Sequence, residues 1–530
     1  MLRRDLLKTS AALLGGSALS MPGIARAQGS KVLNFIPYAD VAVVDPTFST
    51  AYTTRTHALA VFDTLYGTDE NLQPHPQMVA GHVLEDDGLT WRMTLRDGLV
   101  FHDGSRVLAR DCVASIRRWG ARDAFGQVVM DATNEITAPD DKTIVFRLKR
   151  PFPLLPLALG RASSLVPGIM PERLANTDPF KQVTEVVGSG PFRFVADERV
   201  PGARVVYAKH TGYVPRPDGT ASYTAGPRAA YVDRVVFNVI TDPATAAAAL
   251  QTGDADWVEQ PLIDLLPMLQ RSRDINVEIK DKTGMVGCFR FNHLQPPFNN
   301  PAIRRVVLQA VNQADCMTSV AGAAPDYWQG DVGYFPPGSP MATTPGFGKA
   351  DAAQREKLKA ALADAGYKGE RVVLLSGADV PRINAVCEVM RDVLVQIGMN
   401  VDFVAADWGT VVSRINSREP VEKGGWSCYC TYWSGMDQWM PPSHTFLRAS
   451  GARGATGWPD SPELEALRNQ WLLADGEAAQ KQVAAQLQAT AEQVVPYIPL
   501  GLFKQPIAYR KNITGILAGA PVFTNLRKEA

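Results

Sequence analysis

The sequence predicts an α/β protein of at least two domains, on the basis of its length and of two local patterns. A chain of 530 residues is too long for one hydrophobic core, because cores stop growing at about 250–300 residues. Arg371 to Ser376 and Asn400 to Ala405 have the composition of strands, and Arg382 to Ile397 between them has apolar residues at helical spacing. This order predicts a βαβ unit with a right-handed parallel crossover.

The second pattern occupies residues 90–119. Alternation of apolar and polar residues from Thr90 to Leu95 predicts a strand, and the turn signal Asp97-Gly98 leads into a second short strand, Leu99 to Phe101. From about Ala109 to Trp119 apolar residues recur at helical spacing, which predicts an amphipathic helix. No catalytic group accompanies this pattern.

The composition is that of an ordinary globular protein without a dominant charge. Hydrophobic residues make up 46% of the chain and charged residues 20%, which argues against disorder. The 54 basic residues equal the 54 acidic ones, so no overall field would draw the protein to nucleic acid or to an anionic membrane. We therefore expect no nucleic-acid partner.

Residues 1–27 have the features of an export signal. Arg3-Arg4 lies in a basic start, a weakly apolar run follows from Thr9 to Ser20, and Ala25-Arg26-Ala27 fits an A-x-A cleavage site. The paired arginines predict a twin-arginine-like signal peptide. Leu2 stands where that signal usually has Ser or Thr, so the general secretory route stays open. We expect cleavage after the alanine motif and export from the cytoplasm.

The remaining chain predicts a soluble periplasmic protein without a lipid anchor. No cysteine follows the apolar run of the signal, and no later apolar run reaches the roughly 18–20 residues that a membrane span needs. The dispersal of the six cysteines favours small buried apolar side chains over a disulfide framework. They lie at positions 112, 288, 316, 387, 428 and 430.

Sequence motifs of common enzymes do not occur. The chain has no G-x-x-x-x-G-K-[ST] or G-x-G-x-x-G loop, no G-x-S-x-G elbow and no H-E-x-x-H helix. Seven histidines are scattered, and His102 in a His-Asp-Gly turn is interpreted as a hydrogen-bonded turn residue. We expect no catalytic residue, no metal site and no cofactor. A periplasmic hydrolase whose catalytic residues come together only in space stays open as an alternative.

Three further motifs follow in order along the chain. Gly188-Ser-Gly-Pro-Phe192 predicts a turn whose glycines adopt backbone angles that other residues resist. Asp242-Pro243 predicts the start of an alanine-rich helix that ends near Gly253, and Phe291 to Arg304 leads into another helical pattern. Together with the pattern at 90–119, these motifs resemble the family 5 extracytoplasmic solute-binding proteins, the oligopeptide, dipeptide and nickel receptors of ABC importers.

The resemblance implies a type II-like periplasmic binding protein, with two lobes joined by crossing hinge strands and an extra subdomain in lobe I. Lys31 to Ile36 is then the first strand of lobe I and Thr56 to Leu65 its first helix. The implied division of the chain is a signal peptide at 1–27, lobe I at 28–65, 186–282 and 505–530, an inserted subdomain at 66–185, and lobe II at 283–504.

The resemblance also implies a function. A receptor of this kind captures its solute in the cleft between the lobes and delivers it to the permease subunits of an ABC importer in the inner membrane. We expect a short peptide or a similar small amphipathic solute, bound by a monomer. A nickel or metallophore receptor of the same family stays as an alternative, and so does a chaperone-like role.

Aromatic residues between positions 408 and 439 are the strongest candidates for solute contact. Trp408, Trp426, Tyr432 and Trp433 offer wide apolar faces with few rotatable bonds, and their polar groups can still donate hydrogen bonds. For any one ring, packing in a core is an equal alternative.

Asp437 is the charged candidate in the same span. In peptide-binding relatives an acidic residue of a comparable passage pairs with the peptide amino terminus. Here the aspartate is displaced by one position and no Asp-Pro follows, so peptide specificity stays open, but Asp437 is expected to hold a cationic amine. Tyr38 and Tyr52 of lobe I, and Asn292 near the crossing of the chain, are the expected partners across the cleft.

Overall fold

Two large β-sheets form the framework of the protein. A computed structural model describes residues 31–85 and 88–529, so the signal peptide predicted at 1–27 lies outside the described residues. The first sheet has seven strands, and Val32–Ile36 at its centre pairs in parallel with both neighbours. The spatial order of its strands is Ile275–Glu278, Ile507–Arg510, Trp257–Val258, Val32–Ile36, Arg234–Asn238, Arg204–Lys209 and Phe192–Phe194.

The second sheet has six strands and contains the βαβ unit. Arg371–Gly377 and Asn400–Ala406 pair in parallel, with the helix Pro381–Gln396 between them in sequence, as the sequence predicts. The spatial order of the strands is Trp328–Gln329, Tyr497–Phe503, Met285–Phe291, Cys428–Ser434, Arg371–Gly377 and Asn400–Ala406.

Smaller sheets surround the first large sheet. A four-stranded sheet consists of Val79–Glu85, Thr90–Leu95, Thr143–Leu148 and Thr133–Thr137, in this spatial order. Two-stranded ribbons pair Tyr66–Thr68 with Pro74–Pro76 and Ile513–Thr514 with Arg527–Lys528.

Within the pattern at 90–119, the strand Thr90–Leu95 and a helix from Ala109 are confirmed, but the second strand is wrong. Val100 forms only one isolated bridge, to Arg106. The backbone here bonds within its own loop, since the Phe101 amide donates to the Ser105 carbonyl oxygen at 2.8 Å, and it therefore adds no strand to a sheet.

Fourteen α-helices lie in the described part of the chain. One begins as the sequence predicts: the Asp242 carboxylate accepts a hydrogen bond from the Thr245 amide at 2.7 Å, and Gly253, with φ of 89°, ends the helix. The helices are Tyr52–Val61, Ala109–Arg122, Ala124–Ala132, Leu155–Leu159, Glu172–Ala175, Pro243–Thr252, Leu266–Gln270, Pro301–Ala310, Gln313–Ala321, Ala352–Asp364, Pro381–Gln396, Trp408–Arg414, Pro462–Leu473 and Gly476–Val494.

Two neighbouring segments connect the large sheets. The chain leaves the first sheet after Glu278 and enters the second at Met285, and it returns between Phe503 and Ile507. Glu278 pairs with Ile507 and Met285 with Phe503, so the two crossings lie side by side and antiparallel. Each sheet has its own buried core, and the crossings at 279–284 and 504–506 are therefore the covalent hinge between two bodies.

The cysteines and His102 have the environments that the sequence predicts. All six cysteines are buried and free of disulfides. His102 Nε2 lies 3.0 Å from the Gly190 carbonyl oxygen, as expected for a hydrogen-bonded turn residue. Among the described residues, no helix is both long enough and apolar enough to cross a membrane.

The turn that begins at Gly188 needs glycine for a different reason from the one predicted. Neither Gly188 nor Gly190 is among the described residues with positive φ. The Gly190 amide instead donates to the Val61 carbonyl oxygen at 2.8 Å, and a Cβ on Gly188 would lie 2.1 Å from that oxygen. The end of the helix Tyr52–Val61 therefore packs directly on the backbone of this turn.

We predict that Gly188→Ala lowers the free energy of unfolding by about 1–3 kcal/mol, because the added methyl group must displace backbone. Chemical denaturation monitored by circular dichroism measures the loss. Gly81→Ala is the matched control, since a Cβ on Gly81 meets no atom within 4 Å. Equal stability of the two variants would contradict the close-approach explanation.

Candidate functional site

A buried ion pair joins the two bodies of the protein. Asp437 follows the strand Cys428–Ser434 of the second sheet, and Arg161 belongs to the part of the chain that packs on the first. The Asp437 Oδ1 lies 2.5 Å from Arg161 Nη2. The hydroxyls of Ser163 and Ser164 donate to its other carboxylate oxygen at 2.7 and 3.3 Å. Asp437 is 1% exposed, so water does not reach it. Arg161 and the two serines neutralise and solvate its charge instead.

A second carboxylate stands on the other side of Arg161. Asp123 Oδ1 lies 3.5 Å from Arg161 Nη1, and it also caps the helix Ala124–Ala132 by accepting the amides of Phe125 and Gly126. Burial raises the pKa of Asp123 against the opposing effect of Arg161. Burial alone would lower the pKa of Arg161, but Asp123 and Asp437 outweigh it and raise it, so the arginine stays charged.

A cavity of about 40 Å³ borders this ion pair. Arg161 and Ser163 lie on its polar side, and Phe125, Met436 and Trp439 are among its apolar walls. Pockets for small ligands usually have about 300–1,000 Å³, so this cavity is too small for a peptide. A solute can therefore enter only if the two bodies move apart.

Tyr52 makes another contact between the two bodies. It is the first residue of the helix Tyr52–Val61, and its hydroxyl accepts a hydrogen bond from the Ser434 amide at 2.6 Å. Burial raises the pKa of Tyr52 well above its ordinary value, and Asp437 raises it further, so the hydroxyl stays neutral. The Arg55 guanidinium stacks on the Tyr52 ring at 4.4 Å from the ring centre.

Tyr38 lies close to this group, at the carboxyl end of the strand Val32–Ile36. Its ring is 41% exposed, and its amide donates to Glu259 at 2.9 Å. Glu259 follows the neighbouring parallel strand Trp257–Val258, so two parallel strands end at the same edge of the sheet, where ligands of α/β proteins bind. Burial raises the pKa of Glu259 to about 7.

The aromatic candidates on the strand Cys428–Ser434 have separate surroundings. Consecutive residues of a strand face opposite sides, so Tyr432 and Trp433 diverge. The Tyr432 hydroxyl donates to the Arg382 carbonyl oxygen. Trp433 packs on Phe446 at 4.6 Å, and its buried Nε1 has no hydrogen-bond partner in the described part of the chain. The indole N–H of Trp433 is therefore a hydrogen-bond donor without an acceptor in the described part of the chain.

Asn292 and Trp426 lie away from the interface. Phe291 pairs with Cys428 at one end of the two strands, whereas Met285 pairs with Ser434 at the other. Six steps along a strand put these two ends about 20 Å apart. The Asn292 side chain donates to the Trp426 carbonyl oxygen at 3.0 Å, and Trp426 is completely buried. The expected position of Asn292 beside the crossing is wrong, because the crossing is at Met285.

Trp408 also belongs to a structural cluster. It begins the helix Trp408–Arg414, and its ring covers Gly377 at the end of a strand, where an added Cβ would lie 2.9 Å from the ring. It packs on the same small core as Trp426. We therefore leave Asn292, Trp408 and Trp426 out of the proposed site; of the predicted residues, Tyr38, Tyr52 and Asp437 come together.

Sequence analysis missed the charged residues of the interface, namely Arg55, Arg161 and Glu259. Arg161 lies in the proline-rich passage 151–171, where the sequence contains no catalytic or metal-binding motif. The signal in the sequence was an arginine followed by Ala162 and two serines in an otherwise apolar passage. Its meaning depends on Asp437, 276 residues later in the chain.

A larger groove lies elsewhere in the described part of the chain. It has about 630 Å³ and runs between the helices Pro462–Leu473 and Gly476–Val494. Alanine, glutamine and leucine side chains line it, without a charged residue. An open groove of this composition lacks the convergent polar groups of a solute site, so we place the site at the interface. The described residues contain no group of three or more His, Cys, Asp or Glu side chains that could hold a metal ion.

Comparison with known proteins identifies the family. Residues 73–493 match the profile described as "Bacterial extracellular solute-binding proteins, family 5 Middle". The chain belongs to this family. A probable peptide ABC transporter periplasmic-binding protein of Sinorhizobium fredii, y4tO, is 38% identical over 99% of both chains. The glutathione-binding protein GsiB of Salmonella paratyphi A is 26% identical over 94% of this chain and 92% of its own.

A solved structure of the same fold is the periplasmic binding protein DppA of Helicobacter pylori in complex with the peptide STSA. It superposes with a TM-score of 0.78 at 21% identity, over 94% of this chain and 98% of that chain. The protein is thus a two-lobed family 5 binding protein. We refer to the body around the first sheet as lobe I and to the body around the second sheet as lobe II. The names of both relatives describe them as binding proteins.

We predict strong energetic coupling between Arg161 and Asp437. Removing either partner of a buried pair leaves an uncompensated charge, so Arg161→Met and Asp437→Leu should each lower the free energy of unfolding by on the order of 3 kcal/mol. The double variant should lose less than the sum of the two losses, by on the order of 2 kcal/mol. Chemical denaturation measures all three variants.

The exposed pair Arg371 and Asp402 is the control for this cycle. Arg371→Met, Asp402→Leu and their double variant should give a coupling of about 1 kcal/mol or less. A coupling between Arg161 and Asp437 no larger than this value would contradict the prediction that the buried pair is strongly coupled.

We predict that Glu259 makes stability fall as the pH rises. Its pKa is raised from the ordinary 4.5 to about 7 in the folded protein, so the folded state binds the proton more tightly than the unfolded state. The resulting stabilisation is complete below pH 4.5 and is lost by pH 7, with a magnitude on the order of 3 kcal/mol. Glu259→Gln should remove this loss, whereas the exposed Glu70→Gln should not. Parallel stability curves for wild type and Glu259→Gln would refute the prediction.

Proposed function

We propose that the protein captures a short peptide or a similar small amphipathic solute between its lobes and delivers it to the permease subunits of an ABC importer. The observation that carries this proposal is the interlobe contact of Asp437 with Arg161, Ser163 and Ser164 beside a nearly closed cavity. The peptide transporter name of the Sinorhizobium fredii relative and the peptide bound to DppA support the solute class.

The lobes open and close about the paired crossings at 279–284 and 504–506. We keep the boundaries predicted from the sequence: lobe I at 28–65, 186–282 and 505–530, its inserted subdomain at 66–185, and lobe II at 283–504. A solute stabilises the closed form only by the difference between its affinities for the closed and the open forms. Contacts that the solute makes with both lobes at once supply this difference.

In this mechanism the ion pair between Asp437 of one lobe and Arg161 of the other stabilises the closed form. A solute amine that binds Asp437, as the sequence suggests, must replace Arg161 or share the carboxylate with it. Tyr52 acts beside it through the Ser434 amide, and the free Nε1 of Trp433 is available to a solute acceptor. The binding residues proposed are Tyr38, Tyr52, Trp433 and Asp437.

The protein acts in the periplasm, after removal of residues 1–27, as a soluble monomer. Membership of a family of extracellular solute-binding proteins supports the location. It binds its solute without chemical change.

We predict that native mass spectrometry of the purified protein detects a bound small solute, and that thermal-shift screening of peptides, amines and metal complexes finds ligands that raise the melting temperature. A solute present at 100 times its Kd stabilises the folded protein by about 2.7 kcal/mol. Recovery of the ligand intact after incubation supports a receptor, and a hydrolysed ligand contradicts it. Trp433→Ala and Asp437→Ala should weaken binding, while Trp426→Phe should not; unchanged binding by the first two would overturn the site.

A further inference from the structure

A cationic side chain without an ionic partner lies in the first turn of the helix Tyr52–Val61. Arg55 is 7% exposed. Within residues 31–85 and 88–529, no carboxylate forms an ion pair with Arg55 and its Nε has no hydrogen-bond partner. Two other buried arginines do have a carboxylate partner: Arg118 lies 2.7 Å from Asp45, and Arg228 lies 2.6 Å from Asp63. Arg55 is therefore a buried donor that the described chain leaves unsatisfied.

The start of the same helix has no acidic group to compensate its charge, and the hydroxyl that faces the amides of Tyr52 and Thr53 is the neutral one of Tyr38. Ala51 at the N-cap provides no side-chain acceptor, and no acidic residue lies in the first turn. The hydroxyls of Thr53 and Thr54 donate to the carbonyl oxygens of Asp40 and Val43 and so do not cap the helix. The first turn carries a partial positive charge, so a neighbouring arginine is unfavourable unless an anion joins them.

The direction of the side chain brings these two features together. Side chains of a helix lean towards its N-terminus, and Arg55 accordingly lies over Tyr52, three residues earlier. The guanidinium thus lies against the ring of the first residue of the helix. Because Tyr52 also accepts the Ser434 amide of lobe II, this position adjoins the interface that the solute must enter.

We propose that Arg55 and the first turn of this helix bind a carboxylate group of the solute. The inference rests on the proposed receptor function and adds the charge of the solute to it. A planar guanidinium can donate two parallel hydrogen bonds to a carboxylate, and the start of a helix is a favourable place for an anion.

The surrounding charges favour a single carboxylate. Glu259 and Asp281 are the acidic groups that act on Arg55 through space, and their charge disfavours a multiply charged anion such as phosphate. Asp437, by contrast, already has the cation Arg161. Arg55, which has no such partner, is therefore the cation that a solute can neutralise, and the group that it recognises is a carboxylate.

The first experiment needs no variant. Isothermal titration calorimetry compares wild-type protein with dipeptides, tripeptides and glutathione, each as the free acid, as the carboxyl-blocked amide or ester, and as the N-acetyl form. We expect the carboxyl-blocked forms to bind at least about tenfold more weakly than the acids, and the N-acetyl forms to bind within about threefold of them. Inorganic phosphate is a further probe and should not compete.

The second experiment uses Arg55→Gln, which removes the charge, and Arg55→Lys, which keeps the charge but loses the planar fork. Arg55→Gln should abolish the preference for acid over amide, and Arg55→Lys should keep part of it. Arg271→Gln, at an exposed arginine of lobe I, is the matched control and should bind as wild type does. Circular dichroism checks that each variant is folded.

The outcomes separate this inference from the receptor function. If wild type binds acids and amides equally well, the carboxylate site is wrong while the receptor function stands. The same holds if Arg55→Gln keeps the full preference for acids, or if phosphate competes with them. If no solute of the panel binds wild type, both proposals fail.

Discussion

The buried pair of Arg161 and Asp437 is the interaction on which the arrangement of the lobes depends. Taking two charges out of water costs several kcal/mol for each ion, and their attraction offsets this only when the remaining hydrogen-bonding groups are satisfied. Here Ser163 and Ser164 donate to Asp437, and Asp123 lies on the far side of Arg161. Such a contact permits little sliding, because a small displacement leaves a charge unpaired. The closed arrangement is therefore specified by charge geometry more than by apolar area.

The hinge permits the pair to break and re-form without unfolding either lobe. The two crossings are neighbours, and their strands remain paired on both sides, Glu278 with Ile507 and Met285 with Phe503. Arg382 of lobe II donates to Gln260 at 3.0 Å and also to Gln505 in the return crossing, which holds the lobes together near the pivot. Ser434 pairs with Met285 at the crossing, so Asp437, three residues further along the chain, also lies near the pivot.

Local patterns predicted the local elements, and long-range contacts decided the rest. The βαβ unit and the helix after Asp242 depend on apolar spacing and on one capping carboxylate, all within a few residues of each other. The first helix was predicted at 56–65, but it is Tyr52–Val61. It begins where no capping side chain exists, and the Val61 carbonyl oxygen at its end is bonded to Gly190. No local signal marks either boundary.

The candidate site failed in sequence analysis for the same reason. Aromatic residues crowded between positions 408 and 439 are close in sequence, but Trp408 and Trp426 pack in a separate small core. Tyr432 and Trp433 lie on opposite faces of the strand Cys428–Ser434. Asp437 was found because its charge is unusual in that span, whereas its partner Arg161 could not be identified without the fold. Tyr38 and Tyr52 join it because both lie where strands or helices of lobe I reach the interface.

The missing cap of the first helix links closure to the charge of the solute. Tyr52 is the first residue of the helix. The Arg55 guanidinium stacks on its ring, and its hydroxyl accepts a hydrogen bond from the Ser434 amide of lobe II. An anion bound at the first turn would thus neutralise Arg55 next to Tyr52, the residue that contacts the opposite lobe. Without an anion, closure brings an uncompensated cation into a buried interface, which is unfavourable. With an anion present, that penalty is removed, and the closed form gains relative to the open one by the same free energy. The helix begins without a capping side chain and has an arginine in its first turn, both of which are locally unfavourable. In this way they make closure depend on the solute.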